Sequence, residues 1–316
     1  MNIVFMGTPD FAVKSLDELV KNKYNVVGVV TAPDKPSGRG QKVNCSAVKL
    51  YAESMNLNIL QPTNLKDESF VLELQNLKPD LIVVVAFRML PKVVWNSAQY
   101  GTINLHASLL PQYRGAAPIN WAIINGETET GVTTFFIDEN IDCGNILMQE
   151  KVKIENSDNA GALHDKLMDI GSKLLVKTVN AIKDSCFDCV NQNDICNEIA
   201  DKINLAPKIF KEDCKIDWNN SSEKIYNFIR GLSPYPAAFT EILLENNELL
   251  FVKIYENEIA DLNIKANSGK VYIENNKSLY ISAKDKWLKI IELQPASKKK
   301  MLTSEFLKGC KIKSNI

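Results

Sequence analysis

Histidine is almost absent: in 316 residues there are two, His106 and His164. So few imidazoles cannot build a three-histidine metal site, and any imidazole chemistry rests on one of this pair. Long apolar runs are also missing, with no stretch of about 18 residues to serve as a membrane span. The opening MNIVFMGTPDF lacks the basic start, apolar core and small-residue cleavage site of a signal peptide. Seven cysteines, an odd number scattered from Cys45 to Cys310, do not resemble a disulfide framework, and the chain reads as cytoplasmic. Cys186 and Cys189 have CxxC spacing with Cys196 nearby, yet no second CxxC or adjacent histidine completes a zinc set, so no metal is expected.

Excess charge of either sign is lacking too. The 37 Lys and Arg balance 38 Asp and Glu, a net −1 that argues against a uniformly basic nucleic-acid coat but leaves a local patch open. Glycine-rich phosphate cradles are absent. The strand-to-helix turn Gly7-Thr8-Pro9-Asp10-Phe11 holds one glycine where GxGxxG is required, and there is no P-loop. A dinucleotide cofactor is therefore not expected.

What is present is a globular chain, 45% hydrophobic, long enough for one large domain or two ordinary ones. In the first half, short Val- and Ile-rich runs at 2–6, 25–31, 58–60, 81–86, 101–105 and 132–137 alternate with stretches of 3.6-residue spacing. That pattern predicts a doubly wound, mostly parallel α/β sheet of Rossmann-like type. The run LIVVVA is apolar on both faces, as a central strand should be. A long helix is predicted over 160–182, a linker over 184–208, and a short helix over 221–231 with a Ser cap and a Gly stop. Five short alternating runs follow, at 238–244, 249–255, 269–273, 278–282 and 287–294, which predict a small OB-like β-barrel. The expected organisation is a catalytic domain over 1–188, a linker over 189–208 and a barrel over 209–316.

Charge divides along the same line. Residues 201–316 hold 19 Lys and Arg against 15 Asp and Glu, net +4, which leaves net −5 in residues 1–200. Lys298, Lys299 and Lys300 form a basic run near the carboxyl end. Such a run is either a solvated face or, on a small barrel, an RNA contact.

The densest polar constellation is Asn104-Leu105-His106-Ala107-Ser108-Leu109-Leu110-Pro111, followed by Tyr113-Arg114-Gly115-Ala116-Ala117-Pro118. Side chains two apart on a strand share a face, so Asn104 and His106 stand together at a strand end. An amide and an imidazole side by side suit the polarisation of one carbonyl oxygen under attack by an amine. On the residues alone, the pair is equally a strand-end Asn and His satisfied by turn backbone. The polar loop Asp138-Glu139-Asn140-Ile141-Asp142-Cys143-Gly144-Asn145 follows the run at 132–137; if the two strands are close, Asp142 can reach His106 and orient its ring.

FMGTPDFA, NLHASLLPQYRGAAPINWAIINGETETGVTTFFID, IDCGNIL, IRGLSPYPAAFT and LQPASKKKMLTSEFLKG together resemble the folate-dependent formyltransferase superfamily over nearly the whole chain. SLLPxxRGAAP is specific to it. The resemblance implies transfer of the formyl group of 10-formyltetrahydrofolate to the amino group of methionyl initiator tRNA, by a monomer without a metal or a membrane. It carries catalytic roles onto Asn104, His106 and Asp142, with Asn104 and His106 donating to the formyl oxygen while Asp142 holds His106 and routes the proton. Folate contacts carry over onto Ser108, Leu109, Leu110 and Pro111, and onto the loop Arg88, Met89 and Leu90. That loop is short and similar to the glycinamide ribonucleotide branch of the superfamily. Contacts to tRNA carry over onto Arg39 and Lys42 in the segment 33–42, and the charge of the carboxyl-terminal part adds the Lys298–Lys300 run as a further candidate contact. Sugar-nucleotide formylation, formyltetrahydrofolate hydrolysis and a non-catalytic tRNA-binding role are the alternatives. His164, on the long helix, is expected to be structural or solvent-facing.

Overall fold

In the computed structural model the described residues are 1–37, 42–199 and 203–314, and they form two compact units. The first comprises 1–116, 129–153 and 164–205, and the second 117–128, 154–163 and 206–316. The sequence had suggested consecutive domains. In the structure the segments 117–128 and 154–163 instead group with the carboxyl-terminal part.

A seven-stranded sheet organises the first unit. Its spatial order is Ile146–Lys153, Glu129–Phe136, Thr102–His106, Leu81–Val85, Asn2–Gly7, Asn25–Val30 and Ile59–Leu60. The last five are parallel; at the opposite edge Glu129–Phe136 runs antiparallel to Thr102–His106, and Ile146–Lys153, antiparallel to Glu129–Phe136, points the same way as the five. From Asn2–Gly7 the chain first builds outward to Ile59–Leu60, then crosses to add Leu81–Val85 on the other side. The order of winding therefore reverses between those two neighbours, the place where sheets of this kind hold ligands at their carboxyl ends. All five residues of Leu81–Val85 are buried, as the unbroken apolar run requires. On one face Val4, Met6, Val30, Ile82 and Val84 pack with Phe70, Leu74, Leu90 and Val94. Helix Asp10–Lys21 buries Phe11, Leu16 and Leu19, and helix Ala160–Lys183 buries Leu167, Leu174, Leu175 and Val179. A Cβ on Gly171 would lie 3.0 Å from Leu105 Cδ2, so this long helix crosses tightly over the side of the strand that carries Leu105.

The segment expected to be a linker contains a helix, Gln192–Ile199. Its sequence QNDICNEI is too short and polar for periodicity to register, although Ile195 packs against the buried cluster of Leu110, Phe135 and Ile146.

The second unit is a curled antiparallel half-barrel rather than a fully closed barrel. Its strand order is Ala238–Leu243, Leu249–Ala260, Trp287–Pro295, Ser278–Ser282 and Val271–Glu274, with Met301–Leu302 beside Trp287–Pro295. Register shifts in Leu249–Ala260 between Ile254 and Asn257 bend that strand. Helix Ser222–Leu232 contributes Ile225, Ile229 and Leu232 to the core formed with Val252, Ile254, Leu279, Leu288, Ile290 and Leu293. Ser221 caps it as expected, accepting from the Lys224 amide at 3.4 Å. Gly231 lies inside the helix, which ends one residue later at Leu232. A Cβ there would meet Ile124 Cγ1 at 2.6 Å and the Asn120 carbonyl oxygen at 3.1 Å, so glycine lets helix Pro118–Ile124 approach closely. Asn120 Nδ2 donates to the Gly231 carbonyl at 2.8 Å in the same contact.

Among the described residues no helix is long and apolar enough to cross a membrane.

Candidate active site at the carboxyl ends of the parallel strands

Parallel register sets the site. Gly7 pairs with Val85, and Val85 with Leu105, so three adjacent strands end at the same level, just before His106. Asn104 pairs with Val84 and shares its face of the sheet, and His106 lies two residues further along that face. On the other side, Thr102–His106 pairs antiparallel with Glu129–Phe136, from whose end the Asp142 loop springs. The adjacency on which the sequence argument depended is therefore realised.

The His106 ring is buried. Its Nε2 lies 2.9 Å from the Tyr113 carbonyl oxygen, an atom that can only accept, so Nε2 carries a hydrogen and donates it. Nδ1 is the nitrogen left for chemistry, and it faces Asp142 Oδ2 at 3.8 Å. That gap is longer than a hydrogen bond, as apo catalytic contacts often are. The same Oδ2 accepts from the Gly115 amide at 3.0 Å, which holds the carboxylate in place. Asn104 Oδ1 is buried and has no hydrogen-bond partner. A buried amide atom left unpaired is costly unless a bound molecule satisfies it, and this one stands two residues from His106 on the same face.

The Asp142 loop is shaped by its backbone. Asp142 has φ 54°, a left-handed conformation that Asp tolerates better than bulkier residues. Gly144 is required sterically, since a Cβ there would lie 1.7 Å from the Phe136 carbonyl oxygen. Burial pushes the neighbouring Cys143 thiol upward, outweighing the pull of Arg114, so it is not an activated nucleophile.

Not every expected contact residue faces the site with its side chain. Ser108 is fully buried, its hydroxyl donating to the Gln112 carbonyl at 2.6 Å. Leu110 is in the core, its amide donating to Thr133 Oγ1 at 3.1 Å and its carbonyl accepting from Gln149 Nε2 at 2.9 Å. Pro111 is buried, and Leu109 packs over Gly131. This segment offers backbone more than side chains. In the loop after Leu81–Val85, Met89 is 71% exposed and Leu90 is buried. The Arg88 guanidinium is engaged with the Pro62 and Thr63 carbonyls, the latter at 2.9 Å. Arg39 lies outside the described residues, and Lys42 begins the short strand Lys42–Asn44 paired with Lys35–Ser37. In the second unit, Lys298 and Lys299 are exposed, while Lys300 pairs with Glu292 at 2.7 Å and lies 5.1 Å from the Tyr255 ring centre. His164 contacts Asp165 and the edge of Phe11, a structural placement.

Sequence reasoning missed Gln192, which is fully buried and joins Arg114 to the Asp142 loop. A lone glutamine in a polar stretch carries no signal of that kind.

These features meet a family assignment. Residues 1–179 match the formyl transferase family and 208–311 match the formyl transferase C-terminal domain, and the chain belongs to the formyl transferase family of formyl-transferring enzymes. It is 50% identical over 312 residues to the methionyl-tRNA formyltransferase of Bacteroides thetaiotaomicron, covering 99% of this chain and 96% of the relative. With the methionyl-tRNA formyltransferase of Flavobacterium johnsoniae it shares 52% identity over 309 residues, 98% of this chain and 96% of that one. Among solved structures, the sugar 3N-formyl transferase WlaRD superposes with a TM-score of 0.64 at 23% identity, covering 95% of this chain and 99% of WlaRD. HypX from Aquifex aeolicus, solved with tetrahydrofolic acid, gives 0.63 at 16% identity over 96% of this chain and 46% of its own. At such identities the likeness is one of fold.

Proposed function

We propose that this enzyme transfers the formyl group of 10-formyltetrahydrofolate to the amino group of methionyl initiator tRNA, with Asn104, His106 and Asp142 as its catalytic residues. The observation that carries the chemistry is Asn104, whose buried Oδ1 has no hydrogen-bond partner, on the same strand face as His106, whose Nδ1 faces the Asp142 carboxylate. The choice of acceptor is supported by relatives of about 50% identity over nearly the whole chain.

A formyl carbon under attack by a neutral amine places negative charge on its oxygen. A preformed donor beside that oxygen needs no reorganisation as the charge develops. The Asn104 side-chain NH₂ is the proposed donor, carried by a half-buried residue on the same face of the strand as His106. With Nε2 committed to Tyr113, His106 acts through Nδ1. This nitrogen takes the amine proton as the new C–N bond forms, then delivers it to the departing folate nitrogen as the old C–N bond breaks. Asp142 stabilises the ring while it is charged, and the Gly115 amide stabilises Asp142. The cycle leaves the protein unchanged and forms no covalent enzyme species. For folate, the backbone of Ser108 to Pro111 and the loop Arg88 to Leu90 are the proposed contacts.

The deciding assay incubates the protein with 10-formyltetrahydrofolate and methionyl initiator or elongator tRNA and analyses the released amino acid. Formylmethionine from the initiator alone is expected; formylation of a sugar amine but not of methionyl-tRNA would replace this reading.

The net +4 of the carboxyl-terminal part supports an RNA contact there, at Lys298, Lys299 and Lys300, in addition to Arg39 and Lys42. Each neutralised phosphate steepens the salt dependence of affinity by about 0.7 to 0.9 in log–log slope. Replacing Lys298 and Lys299 together by alanine is therefore expected to raise the KM for methionyl-tRNA and flatten that slope by about 1 to 2. The KM for folate should stay unchanged. An identical slope in the double variant would remove these lysines from the interface.

A further inference from the structure

We propose that Gln192 is a positioning residue for formyl transfer, clamping the backbone of the Asp142 loop to the Arg114 segment. The inference rests on the reading of Asp142 as catalytic.

Gln192 is the first residue of helix Gln192–Ile199 and is fully buried. Its Oε1 accepts from Arg114 Nε at 3.0 Å and Nη2 at 2.6 Å, and its Nε2 donates to the Asp142 carbonyl at 3.1 Å and the Gly144 carbonyl at 2.7 Å. A guanidinium only donates and a carbonyl only accepts, so the amide has a single possible orientation and both its hydrogens are used. The two carbonyls flank Cys143 and bracket the left-handed turn at Asp142. At the far end of the same residue, the Asp142 carboxylate accepts from Gly115, the neighbour of Arg114. The loop is thus tied to the 114–115 segment twice, once through its carboxylate and once through its backbone by way of Gln192.

No other side chain of this reach supplies the set. Glutamate keeps the acceptor for Arg114 but has no hydrogens for the two carbonyls, methionine has neither function, and lysine has no acceptor. Ile195, one helical turn on, packs against Leu110, Phe135 and Ile146, so an apolar anchor fixes the helix that presents the amide. A carboxylate must be held within a fraction of an ångström of its working place, and a misplacement of about 1 Å can cost on the order of 10²-fold in rate.

Gln192→Glu and Gln192→Ala in the full chain test this through three readouts: kcat, the two KM values, and hydrogen exchange of the Gly115 amide, which reports whether the Asp142 carboxylate is in place. Both variants are expected to lose about 10- to 100-fold in kcat with each KM within about threefold, and to exchange the Gly115 amide faster. If the alanine variant does not fold, the glutamate variant decides on the same readouts. Wild-type kcat with a protected Gly115 amide in the glutamate variant, a rise in KM alone, or loss of the folded state in both variants would overturn the proposal. Asp142→Asn is the separate arm. If it retains wild-type turnover, the catalytic reading of Asp142 fails. If it is impaired while the Gln192 variants are normal, only the inference drawn here fails.

Discussion

Alanine in place of Asn104 or of His106 is expected to lower kcat for formyl transfer by about 10² to 10³-fold each, the usual cost of removing one donor from a developing oxyanion for Asn104 and within the usual range for removing a positioned acid–base group for His106. The two substitutions should differ in their structural side effects. Asn104 Oδ1 has no partner, so truncating that side chain breaks no hydrogen bond at that atom. His106 donates to the Tyr113 carbonyl, and its loss removes that buried hydrogen bond, a cost of about 0.5–1.5 kcal/mol in stability. Near-equal rate losses with unequal losses in melting temperature would therefore separate catalysis from stability. Single-turnover rates at saturating folate, together with methionyl-tRNA binding measured directly, provide the check. Binding should persist in both variants, and turnover within about threefold of the parent in either would contradict the assignment.

The second large effect is expected from Gly144→Ala, a change of one methyl group. An added Cβ would sit 1.7 Å from the Phe136 carbonyl oxygen and 2.9 Å from its carbon, both backbone atoms at the end of strand Glu129–Phe136. A flexible side chain could move aside; this backbone is held by the bond from the Phe136 amide to the Asn145 carbonyl at 2.9 Å. Relief must come from the loop. The loop carries Asp142 two residues upstream, so displacement there opens the 3.8 Å approach to His106 further. We expect kcat to fall about 10²-fold, as a 1 Å misplacement can produce, with about 1–3 kcal/mol lost in stability from overpacking. A Gly144→Ala enzyme with parental kcat would show that Asp142 does not depend on this loop geometry.

Much of the architecture was readable in the chain, and the reasons are local. LIVVVA declared a buried central strand because every position is apolar, and Asn104 and His106 declared a shared face because the strand period is two. Asp142 was reachable by inference, since the strand preceding its loop lies next to the one bearing His106. Other features depend on atoms that sequence patterns do not encode. The Tyr113 carbonyl that decides which nitrogen of His106 is free belongs to the backbone and would be the same for any residue type. Gln192 meets carbonyls 50 and 48 residues away, and its helix is too short and polar to be distinguished from a linker. Gly231 carries a second meaning: glycine after a helical run suggests a stop, and the helix does end one residue later at Leu232, yet the missing Cβ here serves close approach to Ile124. Folate contacts were assigned to Ser108 and Leu110, whose side chains are consumed by packing and hydrogen bonds. Only backbone is left there to meet a ligand.

The interleaved segments of the second unit also bear on how the chain is made. Asn120 bonds to Gly231, 111 residues later, Asn156 to Tyr226 across 70, and Asp158 to Arg230 across 72. At ribosomal rates of about 5–20 residues per second, helix Pro118–Ile124 is synthesised roughly 5–20 s before Gly231 exists. During that interval the first unit's sheet can receive Glu129–Phe136 and Ile146–Lys153, while 117–128 and 154–163 stay tethered to it without their partners. Ala122 and Ile123, buried in the finished protein, are then what a nascent-chain chaperone would meet.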